Sequence, residues 1–363
     1  MTSTEASLDV TELLGDFAPP LSLNTKSGWR AFSRQQAEPP PAMLSTAQRA
    51  RITAAERHVY DLRRISYHLD EPFIRHEALN NAIAFCVRRI AMNTRSKPNA
   101  RRGVLILGPG GTGKTQALWE IAKQTDRHVI SGMTRRRELN DLLPSVLIST
   151  PDRPQLRRPV VDTILEFLEH PLPKKVRSTD EVIPRLAELV IALRTVAYLF
   201  DDLGFLRTQD PKSSAPNDFM KRLMNAIPVT LIGTAINNPR FSMLSEGGSK
   251  ADDAFSQTGR RFSVVYLPPF KLVPLDARQR WTNLLATYEA WLRLTDARPR
   301  DLIKLDEYLH QRTQGRLISL TSLLCQGAVE AIEGGAERIT QPLLDEIKID
   351  AAAQGVTRSS SDR

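Results

Sequence analysis

One octapeptide constrains this chain more than any other feature: Gly108-Pro109-Gly110-Gly111-Thr112-Gly113-Lys114-Thr115. It satisfies G-x-x-x-x-G-K-[ST]. The apolar run Gly103-Val104-Leu105-Ile106-Leu107 precedes it and a helical pattern from Lys114 to Lys123 follows. A buried strand, a glycine turn and a helix N-terminus, in that order, form the setting in which this motif carries its chemistry. The glycines let successive backbone N–H groups turn toward a β-phosphate, and the helix start adds its positive dipole end. Lys114 is then expected to reach the β- and γ-phosphates, and the Thr115 hydroxyl to ligate Mg²⁺, so the eight residues read as a site for ATP with Mg²⁺.

A phosphate loop needs a second half, an apolar strand that ends in a carboxylate. Val196-Ala197-Tyr198-Leu199-Phe200 followed by Asp201-Asp202 supplies it. Asp201 is expected to hold Mg²⁺ through water, and Asp202 to act as general base or water-orienting group in ATP hydrolysis. Thr234, at the end of the next apolar run, stands where a polar group orients the attacking water, with Asn237 as the alternative. Arg260 and Arg261 precede the last strand, a place from which an arginine can reach a γ-phosphate held by an adjacent subunit. Arg316, after Gly315, is expected to touch the nucleotide from a helical region. His68 and Pro72 are candidates for an adenine pocket, although core or turn positions explain them equally.

Further strand expectations fall at His128–Ile130, Val146–Ser149, Val229–Gly233 and Ser263–Leu267, with helical patterns between most of them. That alternation predicts an α/β fold, a parallel sheet covered by helices with right-handed crossovers. Beyond Pro268-Pro269 the pattern is purely helical, through Ala277–Leu292, Lys304–Arg312, Ile318–Glu333 and Gln341–Gln354. Ahead of the phosphate loop, helices are expected over Thr46–Tyr67 and Phe73–Asn93. The organisation read from these patterns is a disordered or extended segment 1–48, an ATPase core 49–270, a small C-terminal helical lid 271–356 and a disordered tail 357–363. Within the first segment, Val10–Leu14 and Trp29 are candidate partner-binding elements.

The chain has 363 residues, 50 Lys and Arg against 41 Asp and Glu, and a formal charge of +9. A charge of that size favours polyanionic partners through counterion release, while the low aromatic content, 6%, argues against a base-stacking platform. The basic loop with Arg95, Lys97, Arg101 and Arg102 reads as a solvated connector or as a DNA contact. No stretch is long and apolar enough to span a membrane and no leader pattern opens the sequence, so a cytoplasmic setting is expected. Cys86 and Cys325 lie in apolar helical patterns and read as buried thiols, which leaves no disulfide framework and no zinc cluster.

The order of these elements resembles the AAA+ ATPases and, more narrowly, the TniB and TnsC transposition regulators. Four stretches carry the likeness, which spans about residues 50–345. They are the phosphate loop, Pro144–Thr150 running into Pro151, Asp201-Asp202-Leu203-Gly204-Phe205-Leu206, and Gly259-Arg260-Arg261-Phe262 through Leu267-Pro268-Pro269-Phe270. Asp202 departs from the glutamate common in that family, which bears on turnover more than on ATP binding. The resemblance implies an ATP-dependent regulator that oligomerises on double-stranded DNA as a ring or helical filament. It would link a target-selection protein to a transposase. Arg261 would complete a neighbour's site, and Arg157, Arg158, Lys174, Lys175 and Arg177 would contact DNA phosphates. The Asp-Asp-Leu-Gly string also looks like the IstB and helicase-loader branch. A P-loop phosphotransferase and a nucleotide-switch signalling ATPase are the remaining alternatives.

Overall fold

Apolar runs too short for helices become strands, and they end at polar, glycine-rich or proline-rich stretches. The computed structural model describes residues 22–35, 39–96, 101–132, 142–149, 157–170, 179–203, 222–236 and 261–349. These residues divide into two compact units, one built from 22–35 with 78–268 and the other from 39–77 with 269–349.

The first unit is a parallel sheet. Strands β1 (Gly103–Leu107), β2 (Ser145–Ser149), β3 (Ala197–Asp201), β4 (Thr230–Ala235) and β5 (Phe262–Tyr266) lie side by side in the order β2-β3-β4-β1-β5, every neighbouring pair parallel. The central strands β1 and β4 are buried along their whole length, as a sheet covered on both faces requires. Insertion of β4 between β1 and β3 separates the strand that feeds the phosphate loop from the strand that ends in Asp201-Asp202. The helices of this unit are α1 (Lys26–Arg34), α4 (Glu77–Arg95), α5 (Lys114–Ser131), α6 (Arg157–Phe167) and α7 (Thr179–Ala192), numbered with α2 and α3 of the second unit in chain order. Pairing in register puts Ser145, Ala197 and Thr230 on one face of the sheet. Helix α5 reaches that face through Ser145, whose hydroxyl donates to Asp126, and α4 through Asn93, whose amide donates to Thr230.

Two expectations in this unit are corrected. His128–Ile130 is the last turn of α5 rather than a strand. The burial of Ala117, Leu118, Ile121, Ala122, Thr125 and Asp126 keeps a helical period up to that point, and the Gly132 N–H closes the helix on the His128 carbonyl. The segment expected to be disordered or extended contains α1. Thr25 caps it by accepting from the Gly28 N–H, and Trp29 is wholly buried against α5. The Trp29 indole N–H donates to Asp126 at 3.0 Å, and Arg30 donates to the Leu142 carbonyl.

The second unit is helical: α2 (Thr46–Arg49), α3 (Ala54–Leu69), α8 (Leu275–Trp291), a 3-10 turn Ile303–Leu305, α9 (Asp306–Thr313), α10 (Leu317–Glu333) and α11 (Gln341–Glu346). The single helix expected over Thr46–Tyr67 is therefore two, each opened by its own capping box, Ser45 with Gln48 and Thr53 with Glu56. The next helix begins at Glu77 rather than Phe73. Helix α11 stops at Glu346, short of Gln354. Residues 39–77 join the C-terminal helices instead of the sheet, because α3 packs on α10. A buried network fixes this packing: Arg64, with no exposed surface, pairs with Asp61 and Glu337, and Arg49 pairs with the same two carboxylates. Around it Ile65, Trp281, Leu285, Tyr288, Leu320 and Leu324 form one apolar core. Cys86 and Cys325 are both buried, and burial pushes each thiol up to about 12.

Candidate nucleotide site

The site is assembled at the C-terminal ends of β1, β3 and β4. Gly108 follows β1, and a Cβ there would lie 2.2 Å from the Leu267 carbonyl oxygen, so only glycine allows the loop to leave the strand this close to its neighbour. Gly111 and Gly113 have φ of 78° and 88°, the left-handed conformation that turns their amides away from a regular helix. Gly113 is the residue from which α5 starts. Thr112 steadies the loop, its hydroxyl donating to the Pro109 carbonyl at 3.1 Å.

Lys114 folds back over this loop. Its ammonium donates to the Gly108 carbonyl at 2.9 Å and to that of Pro109 at 2.6 Å. Burial lowers its pKa from the ordinary value, and the nearby Asp201 and Asp202 oppose that shift. Thr115, one residue on, donates to Asp201 Oδ2 at 2.9 Å. From the other side Thr234 donates to Asp201 Oδ1 at 2.7 Å. Both carboxylate oxygens of Asp201 are thus fixed by hydroxyls from separate elements, α5 and β4.

Asp202 has a φ of 50°, unusual for a residue other than glycine. Its N–H donates to Thr234 Oγ1 at 2.9 Å, and the next N–H, of Leu203, donates to the Thr234 carbonyl at 2.7 Å. A hydroxyl has one proton, and that of Thr234 is given to Asp201. Thr234 therefore braces the Asp201 carboxylate and the Asp202 backbone and meets a water only as an acceptor, a role that sequence does not separate from water orientation. Gly233 permits the approach, since a Cβ there would lie 2.1 Å from the Leu203 side chain.

The structure brings together Gly108–Thr115, Asp201, Asp202 and Thr234. Thr115 Oγ1 and the Asp201 carboxylate are hard oxygen donors side by side, a set that suits Mg²⁺, which takes few protein ligands and keeps water and phosphate oxygens. Arg261 is elsewhere. Its carbonyl accepts from the Gly103 N–H at the start of β1, so it stands a strand length, roughly 15 Å, from the loop at the end of that strand. Its guanidinium donates to Asn225 at 2.9 Å. Arg316 belongs to the helical unit, where it precedes α10 beside Gly315. His68 is a core residue of that unit: Nδ1 donates to the Arg64 carbonyl and Nε2 accepts from the Arg293 N–H. Burial lowers its pKa to about 4, so it is neutral, and the adenine-pocket reading gives way to a structural one. Arg260, Asn237, Lys174, Lys175 and Arg177 lie outside the described residues, as do the side chains of Arg157 and Arg158.

No known protein-family model matches this sequence, and a search of curated proteins returns no relative. Solved structures do share its fold. The ORC1 protein of Aeropyrum pernix, in complex with DNA, aligns over 81% of this chain and 69% of its own, at 18% identity and a TM-score of 0.53. The ORC2 protein of the same organism, in ADPNP and ADP complexes, aligns over 76% and 67%, at 11% identity and a TM-score of 0.51. The fold, a five-stranded parallel sheet with surrounding helices, is thus shared with these two proteins. Within it the phosphate loop, the paired aspartates and the Thr234 brace occupy one edge of the sheet, and Arg261 the other.

Proposed function

We propose that the protein is an ATPase that uses nucleotide binding to assemble on double-stranded DNA. The observation that carries this reading is the split of the chemistry between two sheet edges. Lys114, Thr115, Asp201 and Asp202 stand together at one edge, whereas Arg261 is a strand length away; in this reading it serves a second copy's nucleotide rather than its own. In this reading Gly108–Thr115 bind the phosphates and Thr115 and Asp201 hold Mg²⁺. Asp202 takes the proton from the attacking water, and Thr234 keeps the Asp201 carboxylate and the Asp202 backbone in place. Such a site makes ATP a link between subunits, and loss of the γ-phosphate loosens the assembly.

DNA as the partner is supported by the net charge of +9, and A. pernix ORC1, of the same fold, was solved with DNA. The narrower role, a transposition regulator that joins a target-selection protein to a transposase in the cytoplasm, rests on the TniB and TnsC resemblance of residues 259–270 and the helical unit. The Asp201-Asp202-Leu203-Gly204 string supports a second reading, a helicase loader. No described helix is long and apolar enough to cross a membrane.

Phosphate release measured with and without duplex DNA tests the proposal. DNA is expected to raise turnover with no acceptor phosphorylated, and a phosphorylated small molecule would establish a phosphotransferase instead. Capture with a purified transposase against a replicative helicase then separates the two narrower roles.

A further inference from the structure

In a parallel sheet every connection returns to the same edge, and here that edge is lined with arginine. Arg101 and Arg102 precede β1, Arg194 precedes β3, Arg261 precedes β5, and Arg95 ends α4, whose Asn93 amide donates to the Arg102 carbonyl. The described residues that lead into the five strands, 101–102, 142–144, 193–196, 227–229 and 261, contain no Asp or Glu. One acid of the elements that end there, Asp126 of α5, meets the start of β2, where its carboxyl accepts from Ser145 and Trp29. The opposite edge holds Asp201 and Asp202 with Lys114, so the arginines gather at the edge away from the phosphate loop.

A helix C-terminus accounts for one basic residue such as Arg95, but not for cations at the starts of three separate strands. Arg101 adds an independent observation. Its Nε and Nη1 are shielded from solvent and have no hydrogen-bond partner among the described residues. Burial also lowers its pKa. No described carboxylate pairs with Arg101, so its charge is left for an anion that rests on this edge.

The spacing indicates which anion. From β3 to β1 the edge crosses two strand spacings, about 10 Å, a width over which a duplex presents about six phosphates. One bound triphosphate answers a single point of such a row. The connecting residues 101–102, 142–144, 193–196, 227–229 and 261 include no aromatic side chain, so nothing here stacks on a base.

We infer that this arginine edge, with Arg101, Arg102 and Arg194 at its centre, carries duplex DNA by its phosphate backbone. The inference rests on the DNA-assembly reading above and assigns it a surface at the far side of the sheet from the phosphate loop.

The test is duplex affinity of the full chain with ATP across a salt series, for the wild type and for the triple variant Arg101→Gln, Arg102→Gln, Arg194→Gln. Each lost phosphate contact removes roughly 0.9 from the slope of log K against log[salt], so the triple variant should be shallower by about three. The corresponding triple Lys variant should keep the wild-type slope. ATP affinity should be unchanged in both, which also shows that they fold. If the Gln variant binds ATP and retains the full slope, the inference falls. It also falls if only hydrolysis drops, because the edge then serves a neighbour's nucleotide. A wild-type protein that does not bind duplex DNA would overturn the DNA reading and this surface together.

Discussion

Lys114 donates to two carbonyls of its own loop, and Asp201 is gripped by hydroxyls from two elements, so both charged groups have defined partners. Lys114→Ala removes a charge-assisted phosphate contact worth about 1.5–3 kcal/mol, and ATP affinity is expected to fall by at least tenfold in a calorimetric titration. Unchanged affinity would place the nucleotide elsewhere. Asp202→Asn keeps the left-handed backbone, which asparagine tolerates, and leaves Asp201 intact. ATP binding should persist while steady-state phosphate release drops about 100-fold or more, and equal turnover would show that another group takes the proton. Lys114, Thr115 and the aspartate pair are legible in sequence because phosphate chemistry fixes their types and spacing. The brace by Thr234 is not, because which acceptor receives a hydroxyl proton depends on the strand order that sets β4 beside β3.

At the scale of elements, the five strands were readable wherever an apolar run was too short for a helix and ended in a turn, as Val196–Phe200 and Val229–Gly233 show. His128–Ile130 misled because two β-branched residues outweighed the longer helical period they complete. Helix α1 was hidden by the polar, proline-rich composition around it, since a nine-residue helix depends on one buried tryptophan rather than on pattern. The break between α2 and α3 left a readable signal, two capping boxes in succession, at Ser45–Gln48 and Thr53–Glu56.

The contact between Trp29 and Asp126 has a measurable signature. Burial pushes the Asp126 carboxyl up to about 6, against about 3.9 in an unfolded chain. The folded protein therefore holds a proton over this interval that the unfolded chain has lost. This contribution is complete below about pH 4 and is lost as pH rises through about 6, roughly 2–3 kcal/mol in all. His68 acts with the opposite sign, so the test is a difference. Stability to urea of wild type and Asp126→Asn should diverge in the variant's favour from pH 4.5 to 7.5, and parallel profiles would refute the assignment. In the helical unit, Glu337→Ala strips Arg64 of one of its two buried carboxylates. The expected cost is about 3 kcal/mol or more by thermal or urea unfolding, and a loss under 1 kcal/mol would show the network to be incidental.

For the whole molecule, the central claim is that ATP held at one sheet edge joins subunits through Arg261 at the other, and that the resulting assembly binds DNA. A cation a strand length from its own phosphate loop meets a γ-phosphate only if a second copy brings one to it. The multiplied charge of such an assembly explains why a moderately basic chain would bind duplex DNA steeply and without reading bases. The most direct measurement is duplex affinity and particle size, by sedimentation, for wild type and Arg261→Ala with and without ATP. The account predicts that wild type forms a large complex on DNA only with ATP. The variant should bind ATP with wild-type affinity, remain small and lose duplex binding. Assembly on DNA that ignores both ATP and Arg261 would contradict it.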